Sequence, residues 1–154
     1  MNINLPKFVC SFVLVFLAAS VGSWATFPTI DTWYATLQKP LFNPPNFIFW
    51  PVWTILYILM AIAFYSVWTK KKPTKKGIKY FLAQLGLNSL WSIVFFGLHS
   101  PLLAFVVIVT LWIFIFLTIV EFKKVDKLAA NLLVPYLLWV SFASILNLSI
   151  FLLN

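Results

Sequence analysis

Five long apolar runs limit what this chain of 154 residues can become. They cover approximately residues 8–27, 47–68, 79–98, 101–121 and 130–153. About 20 apolar residues in a helix cross the hydrocarbon core of a bilayer, and a helix satisfies its own backbone polar groups where water is absent. The pattern predicts an all-α integral membrane protein, a five-helix transmembrane bundle that forms one membrane domain over residues 1–154.

Composition excludes several other classes of protein. Only 9% of the residues are charged, against about a quarter in soluble domains. All eleven basic residues are Lys, so no Arg is present for bidentate recognition of bases or phosphates, and we expect no nucleic-acid partner. Cys10 and His99 are the only Cys and His and no carboxylate cluster accompanies them, so we expect no metal site and no required cofactor.

The lysines predict the orientation of the five spans. Ten of them fall at position 7, within 70–79 and within 123–127, which an odd number of spans places on one side, and Lys39 stands alone opposite. Because Lys collects on the cytoplasmic side, we expect the N-terminus inside and the C-terminus outside.

The segment Pro28–Pro45 differs from the spans that flank it, since it is polar, aromatic and rich in proline. Eighteen residues is long for a connection in a compact bundle, and such loops often act as lids. Thr32 to Gln38 is expected to form a short helix with Asp31 as its N-cap. We therefore expect a long ordered loop between the first and second spans, covering one mouth of the bundle.

Polar and aromatic side chains recur at helical spacing in three spans. The third span carries Gln84, Asn88, Trp91, Ser92 and Phe95 on one face. An amide in hydrocarbon requires a hydrogen-bonding partner, so this face should point into the protein or toward a ligand.

The second span pairs Trp53 with Tyr57, and the fifth aligns a further four residues, Tyr136, Trp139, Ala143 and Asn147. Flat aromatic faces with a few directed polar groups indicate a pocket for a planar, mostly apolar ligand. The alternative is that the rings fill the bundle core and the amides only join helices.

Three further observations bear on function. No ionisable residue lies in the middle of a span, which argues against an ion-coupled pump, and no catalytic acid or base is visible. The steps Ala18–Gly22 and Ala19–Ser23 permit close helix approach, for which a dimer contact is one use. The remaining tryptophans include four near span ends, where indoles anchor at the headgroup level: Trp24, Trp33, Trp50 and Trp68.

Several blocks in a fixed order resemble the tryptophan-rich sensory protein family, also called the translocator protein or peripheral benzodiazepine receptor family. The resemblance covers almost the whole chain. The blocks are Trp33-Tyr34…Leu37…Lys39-Pro40…Pro44-Pro45, Pro51-Val52-Trp53…Leu56-Tyr57…Met60, Gln84…Leu87-Asn88…Trp91-Ser92…Phe95-Phe96 and Pro135-Tyr136…Trp139…Ala143…Leu146-Asn147.

This resemblance implies a five-helix bundle, commonly dimeric, whose first loop covers a pocket between the helices. It implies a receptor for tetrapyrroles such as protoporphyrin IX or haem, with light- and oxygen-dependent porphyrin breakdown in some bacterial members. Trp53 and Trp139 match the two indoles linked to that photochemistry. The chain lacks the C-terminal sterol motif of animal members. The alternative function is passive transport of porphyrins or of lipids such as sterols. The implied pocket comprises Tyr34, Pro44, Trp53, Tyr57, Asn88, Trp91, Ser92, Trp139 and Ala143.

Overall fold

The computed structural model describes residues 3–154 as seven α-helices and no strand. The helices are α1 (Leu5–Ile30), α2 (Trp33–Thr36), α3 (Asn46–Trp68), α4 (Lys75–Ser92), α5 (Pro101–Lys123), α6 (Lys127–Leu132) and α7 (Val134–Leu153). A π-helical turn, Ile93–Gly97, continues α4, and α6 leads directly into α7. Five helical segments are therefore long and apolar enough to cross a membrane, which confirms the expected fold class.

The helix ends differ from the apolar runs because capping residues, rather than hydrophobicity, determine where they lie. The helix α1 begins at Leu5, where the Asn4 side chain accepts a hydrogen bond from the Lys7 backbone N–H. The helix α4 begins at Lys75, within the lysine-rich segment, because Thr74 caps it. The fifth span is interrupted at Leu133, just before Pro135, whose ring nitrogen cannot donate a helical hydrogen bond.

The spans close into a ring around a common core. The helix α1 packs on α3 and α4, α4 packs on α5, α5 packs on α6 and α7, and α6 returns to α3. The lipid-facing surface is apolar; on α5 it includes Leu102, Val106, Val109, Ile113, Phe116 and Val120, spaced three or four residues apart.

The small residues of α1 contact α4 of the same chain. Ser89 donates a hydrogen bond to the Ala18 carbonyl at 2.8 Å. A Cβ on Gly22 would lie 3.1 Å from Ser92 Oγ, so a larger residue would require Ser92 to shift by a few tenths of an ångström. The Gly22 side of α1 is thus used within the bundle, and a dimer contact at these small residues stays a prediction.

The loop between α1 and α3 is ordered and lies over one end of the bundle. Its helix is shorter than expected: Asp31 ends α1, and Thr32 stands at the N-cap of α2 without a capping hydrogen bond. The Asn154 side chain holds the loop from the end of α7, accepting from Gln38 N–H and donating to Gln38 C=O at 3.0 Å each.

Candidate functional site

A cavity of about 320 Å³ lies beneath this loop, between α1, α3, α7 and the end of α4. Its size falls within the range of small-molecule sites. Phe16 of α1 and Tyr57 of α3 have ring centroids 6.3 Å apart, and Phe8 and Tyr65 also meet nearer the other end. The α1 residues that line the cavity lie on the loop side of these contacts.

Eight of the eleven ligand-binding residues expected from the sequence line this cavity. They come from the loop, α3, α4 and α7: Tyr34, Trp53, Tyr57, Trp91, Ser92, Trp139, Ala143 and Asn147. The structure brings these residues together from four separate elements. Pro44, Gln84 and Asn88 lie outside the lining.

Gln84 and Asn88 belong to a buried hydrogen-bond network below the cavity. Tyr57 donates to Asn88 Oδ1 at 2.8 Å, Asn88 Nδ2 donates to the Tyr136 hydroxyl at 2.9 Å, and that hydroxyl donates to Gln84 Oε1 at 2.8 Å. Asn88, Gln84 and Tyr136 are at most 1% exposed. The network links α3, α4 and α7, and Tyr57 is its one member that also lines the cavity.

The π-helical turn places further aromatic rings in the cavity wall. Its wider backbone loop is closed by the hydrogen bond from Leu98 N–H to Ile93 C=O. Phe95 and Phe96 lie within it and both line the cavity. Such turns are frequent at functional sites. His99 follows with a positive φ of 51° and stacks on Trp33 of the loop at 4.4 Å.

A second polar link fixes the α4 side of the cavity to α7. Trp91 Nε1 donates to Asn147 Oδ1 at 3.0 Å, and Asn147 Nδ2 donates to the Pro101 carbonyl at 2.8 Å. Both polar groups of the Asn147 amide are therefore satisfied within the protein. Trp91 and Asn147 present fixed surfaces to the cavity, because their rotamers are held by these bonds.

Tyr34 forms the part of the cavity lining contributed by the loop and is 4% exposed. Its hydroxyl donates to Asn43 Oδ1 at 3.0 Å, and Asn43 Nδ2 donates to the Pro44 carbonyl at 3.2 Å. Pro44 therefore supports the loop rather than touching the cavity. Burial raises the pKa of Tyr34 to about 12, against the opposing effect of the bond to Asn43, so Tyr34 stays neutral at physiological pH.

Lys39 extends over the Tyr34 ring. Its Nζ lies 4.6 Å from the ring centroid, within cation–π range, and donates to the Leu37 carbonyl at 3.1 Å. Among the described residues, Lys39 is the one lysine at this end of the bundle, and the other ten lie at the opposite end. It supplies positive charge close to the covered end of the cavity.

Trp53 and Trp139 line the cavity from two helices. Trp53 stacks on Tyr57 with centroids 5.5 Å apart and meets Tyr136 edge-on at 6.2 Å. Trp139 packs against Phe49 and Phe142 at 6.0 and 5.5 Å. The Trp139 indole N–H is buried without a hydrogen-bond acceptor among the described residues, which is a costly arrangement.

Sequence reasoning missed the α1 wall. Ala19, Ser23, Thr26 and Ile30 line the cavity at spacings of four, three and four, and this stripe of small and polar residues in an apolar run was the available signal. It also missed Phe49 and Trp50 of α3. Trp50, assigned to the headgroup belt, is 70% exposed at the cavity rim.

Within the described part of the chain, the lining contains aromatic, amide and hydroxyl groups and no carboxylate, lysine or histidine. Residues 3–154 also contain no group of three His, Cys, Asp or Glu side chains able to hold a metal ion. This set of groups can stack on a planar ligand and orient it with a few hydrogen bonds. The oxidisable groups available to a bound ligand are the indoles and phenols.

Comparison with known proteins is consistent with this architecture. Residues 11–153 match the TspO/MBR family. The chain is similar to the tryptophan-rich protein TspO of Archaeoglobus fulgidus, with 46% identity over 152 residues, 98% of this chain and 99% of that protein. It is 51% identical to the protein of that name from Chlorobaculum tepidum over 137 residues, 86% of each. The human translocator protein is 38% identical over 121 residues, 75% of this chain and 70% of that protein.

Proposed function

The chain belongs to the TspO/MBR family, and on this premise we propose that it is a membrane receptor for tetrapyrroles such as protoporphyrin IX. The observation that carries the proposal is the aromatic cavity itself. Trp53, Trp91 and Trp139 line it from three different helices, which suits a flat, apolar macrocycle.

The carboxylates of a porphyrin impose an orientation within the cavity. No cationic side chain lines the cavity, and an unpaired carboxylate is costly in an apolar site. We therefore propose that the propionates point toward the loop, where Lys39 lies over Tyr34.

Lys39→Gln provides the test, because it removes this charge without touching the cavity wall. Affinity for protoporphyrin IX should fall about two- to tenfold, as for one partly exposed charged hydrogen bond, while affinity for its dimethyl ester should not change. Titration of both pigments in the dark gives these affinities. An equal loss for both pigments would show that Lys39 only supports the loop.

The structure favours a receptor over a passive carrier or channel. Below the cavity, the Tyr57–Asn88–Tyr136–Gln84 network joins three helices, and the buried rings of Phe64, Phe81 and Phe122 stack beyond it. These features support a cavity that is closed toward the lysine-rich end. Saturable binding without net porphyrin flux across sealed vesicles is the expected result, and sustained flux would favour the carrier.

A second candidate activity is light- and oxygen-dependent breakdown of the bound porphyrin. The observation that favours it is the presence of two oxidisable indoles, Trp53 and Trp139, in the lining. The excited pigment and oxygen would supply the reactive species, and the protein would supply orientation and nearby indoles.

The proposed orientation has the N-terminus in the cytoplasm and the C-terminus outside a bacterial cell membrane. It is supported by the position of ten lysines at one end of the bundle and of Lys39 at the other. An impermeant thiol reagent on intact cells should label Ala35→Cys and not Thr74→Cys, each in a Cys10→Ser background. The reverse pattern would contradict the orientation.

We also propose a homodimer, with the contact at the outer side of the seam between α1 and α4. A shallow apolar depression beside Gly86 faces lipid between α1 and α4, and the space next to Gly86 is open. Small residues of this kind allow close helix approach. Gly86→Leu should shift the protein to monomer in a mass measurement in detergent, and an unchanged mass would contradict this contact.

A further inference from the structure

The lysine-rich end of the bundle carries a charge that the protein does not neutralise. Nine exposed lysines lie there, within 70–79 and 123–127. The two acidic residues of this end, Asp126 and Glu121, are each paired with one of them, Lys70 at 2.8 Å and Lys124 at 2.6 Å. The other seven lysines form no ion pair within residues 3–154.

Tertiary contacts join these lysines into one surface. Asp126, between α5 and α6, accepts from Ser66 and Lys70 near the end of α3. Glu121, near the end of α5, accepts from Thr74 at the start of α4. A Cβ on Gly77 would lie 3.0 Å from Glu121 Cβ, so α4 begins in close contact with α5. The two lysine-bearing connections are thereby held side by side.

The start of α4 is electrostatically unfavourable in isolation. Lys75, Lys76 and Lys79 lie in its first two turns, and its first turn has no acidic residue. The N-terminus of a helix carries partial positive charge and favours anions, and Lys75 and Lys79 form a like-charge i,i+4 pair. Glu121 is the one carboxylate that contacts this helix start, through Thr74, and it is already paired with Lys124. The excess of positive charge at the start of α4 therefore favours negative charge from outside the protein.

Aromatic residues place this surface at the height of lipid headgroups. Trp68 and Tyr80 lie next to it, and each is within cation–π range of a lysine, Lys7 at 5.2 Å and Lys76 at 5.7 Å. Trp and Tyr concentrate at the membrane–water interface. Trp68 and Tyr80 therefore favour a depth at which the unpaired ammonium groups meet the phosphates of the adjacent leaflet.

We propose that this surface is a binding site for anionic phospholipid headgroups. Seven unpaired ammonium groups attract phosphates without the directed geometry that an Arg fork would impose, which suits a fluid and variable lipid partner. Juxtamembrane lysines gain affinity from each anionic headgroup they approach. The lipid would neutralise the start of α4 and stabilise its contact with α5.

The test uses the triple variant Lys72→Gln, Lys75→Gln, Lys79→Gln, since none of these side chains bonds to a described residue. The same three positions changed to Arg form the matched control, which keeps the charge; Gln and Arg have similar helix propensity. Each protein is equilibrated in micelles with equimolar phosphatidylcholine and phosphatidylglycerol, repurified, and its bound lipids are quantified.

The parent and the Arg control should retain phosphatidylglycerol several-fold over phosphatidylcholine, and the Gln variant should lose more than half of that excess. The preference should weaken as salt is raised. Equal retention of both lipids by the parent, or an unchanged preference in the Gln variant, would overturn the proposal. Tighter binding of soluble polyglutamate than of phosphatidylglycerol would overturn it in favour of an acidic protein partner.

Discussion

The indoles of Trp53 and Trp139 have two proposed roles that mutation can separate: contact with the ligand, and light-driven chemistry. Trp53→Phe and Trp139→Phe each keep an apolar ring in the cavity, so porphyrin binding should be largely preserved. Each removes an electron-rich indole, so light-driven loss of the pigment should be slower in each variant and slowest in the double variant. Absorbance under illumination, at equal porphyrin occupancy, measures this.

Trp112→Phe is the matched control, because Trp112 donates to Ser141 Oγ at 2.7 Å and lies outside the cavity lining. Its bleaching rate should equal that of the parent. If all variants bleach at the parental rate to the same product, the pigment reacts without help from the indoles and the protein only binds it.

The residues show why sequence reasoning succeeds for aromatic rings and is less complete for amides. Trp53, Trp91 and Trp139 stood on predicted faces, and all three line the cavity. Asn88 and Asn147 shared those faces, but the Asn88 amide is already hydrogen-bonded to Tyr57 and Tyr136. Helical spacing predicts the face of a residue; whether its polar atoms meet a ligand or another helix depends on partners far away in sequence.

Asp126 joins three helical elements and predicts a pH dependence. It caps α6 by accepting from Leu128 and Ala129 N–H and binds Ser66 and Lys70. Burial opposes its ionisation, but the hydrogen bonds from Lys70 and Ser66 outweigh it and lower the pKa of Asp126 to about 2. A carboxyl with a lowered folded-state pKa stabilises the fold above its unfolded-state pKa, and this contribution is lost as the pH falls through the folded-state value.

Asp126→Asn should therefore lower the free energy of unfolding at neutral pH by about 1 kcal/mol or less, the size of a partly exposed ion pair. Between about pH 4 and about pH 2 the difference from the parent should disappear, because the parent carboxyl becomes neutral. Thermal unfolding across pH measures this. A constant Asp126→Asn difference down to pH 2 would contradict the argument.

Among the helices, features that depend on a local hydrophobic signal were predicted from the sequence, and features that depend on packing were not. The five apolar runs predicted five spans because the hydrophobic signal is local and about 20 residues long. The π-helical turn at Ile93–Gly97 has no comparable signal, since its extra backbone residue is stabilised by packing of Phe95 and Phe96 against Tyr34 and Trp91. The α1 stripe was missed because small residues also serve ordinary helix packing, as Gly22 does against Ser92.

The whole molecule has two ends of different character. One end holds the covered aromatic cavity, with Asn154 clamping the loop through Gln38. The other holds the lysine surface, with both acidic residues there already paired. The proposed ligand site and the proposed lipid site therefore lie at opposite ends of the bundle, with the buried Tyr57–Asn88–Tyr136–Gln84 network between them.

Filling the cavity tests the central claim, that a planar tetrapyrrole binds there, most directly. Ala143 lies in the wall and is 8% exposed, so Ala143→Phe inserts a ring into the space the ligand requires. Ile145→Phe is the matched control, because Ile145 lies two residues away on α7 and is 59% exposed on the surface.

Titration of each purified, folded protein with protoporphyrin IX in the dark, followed by absorbance, measures the affinity. Saturable binding is expected for the parent and for Ile145→Phe, with a loss of at least about tenfold in Ala143→Phe, equivalent to about 1.4 kcal/mol. Equal affinity in all three proteins would place the porphyrin outside the cavity and contradict the account.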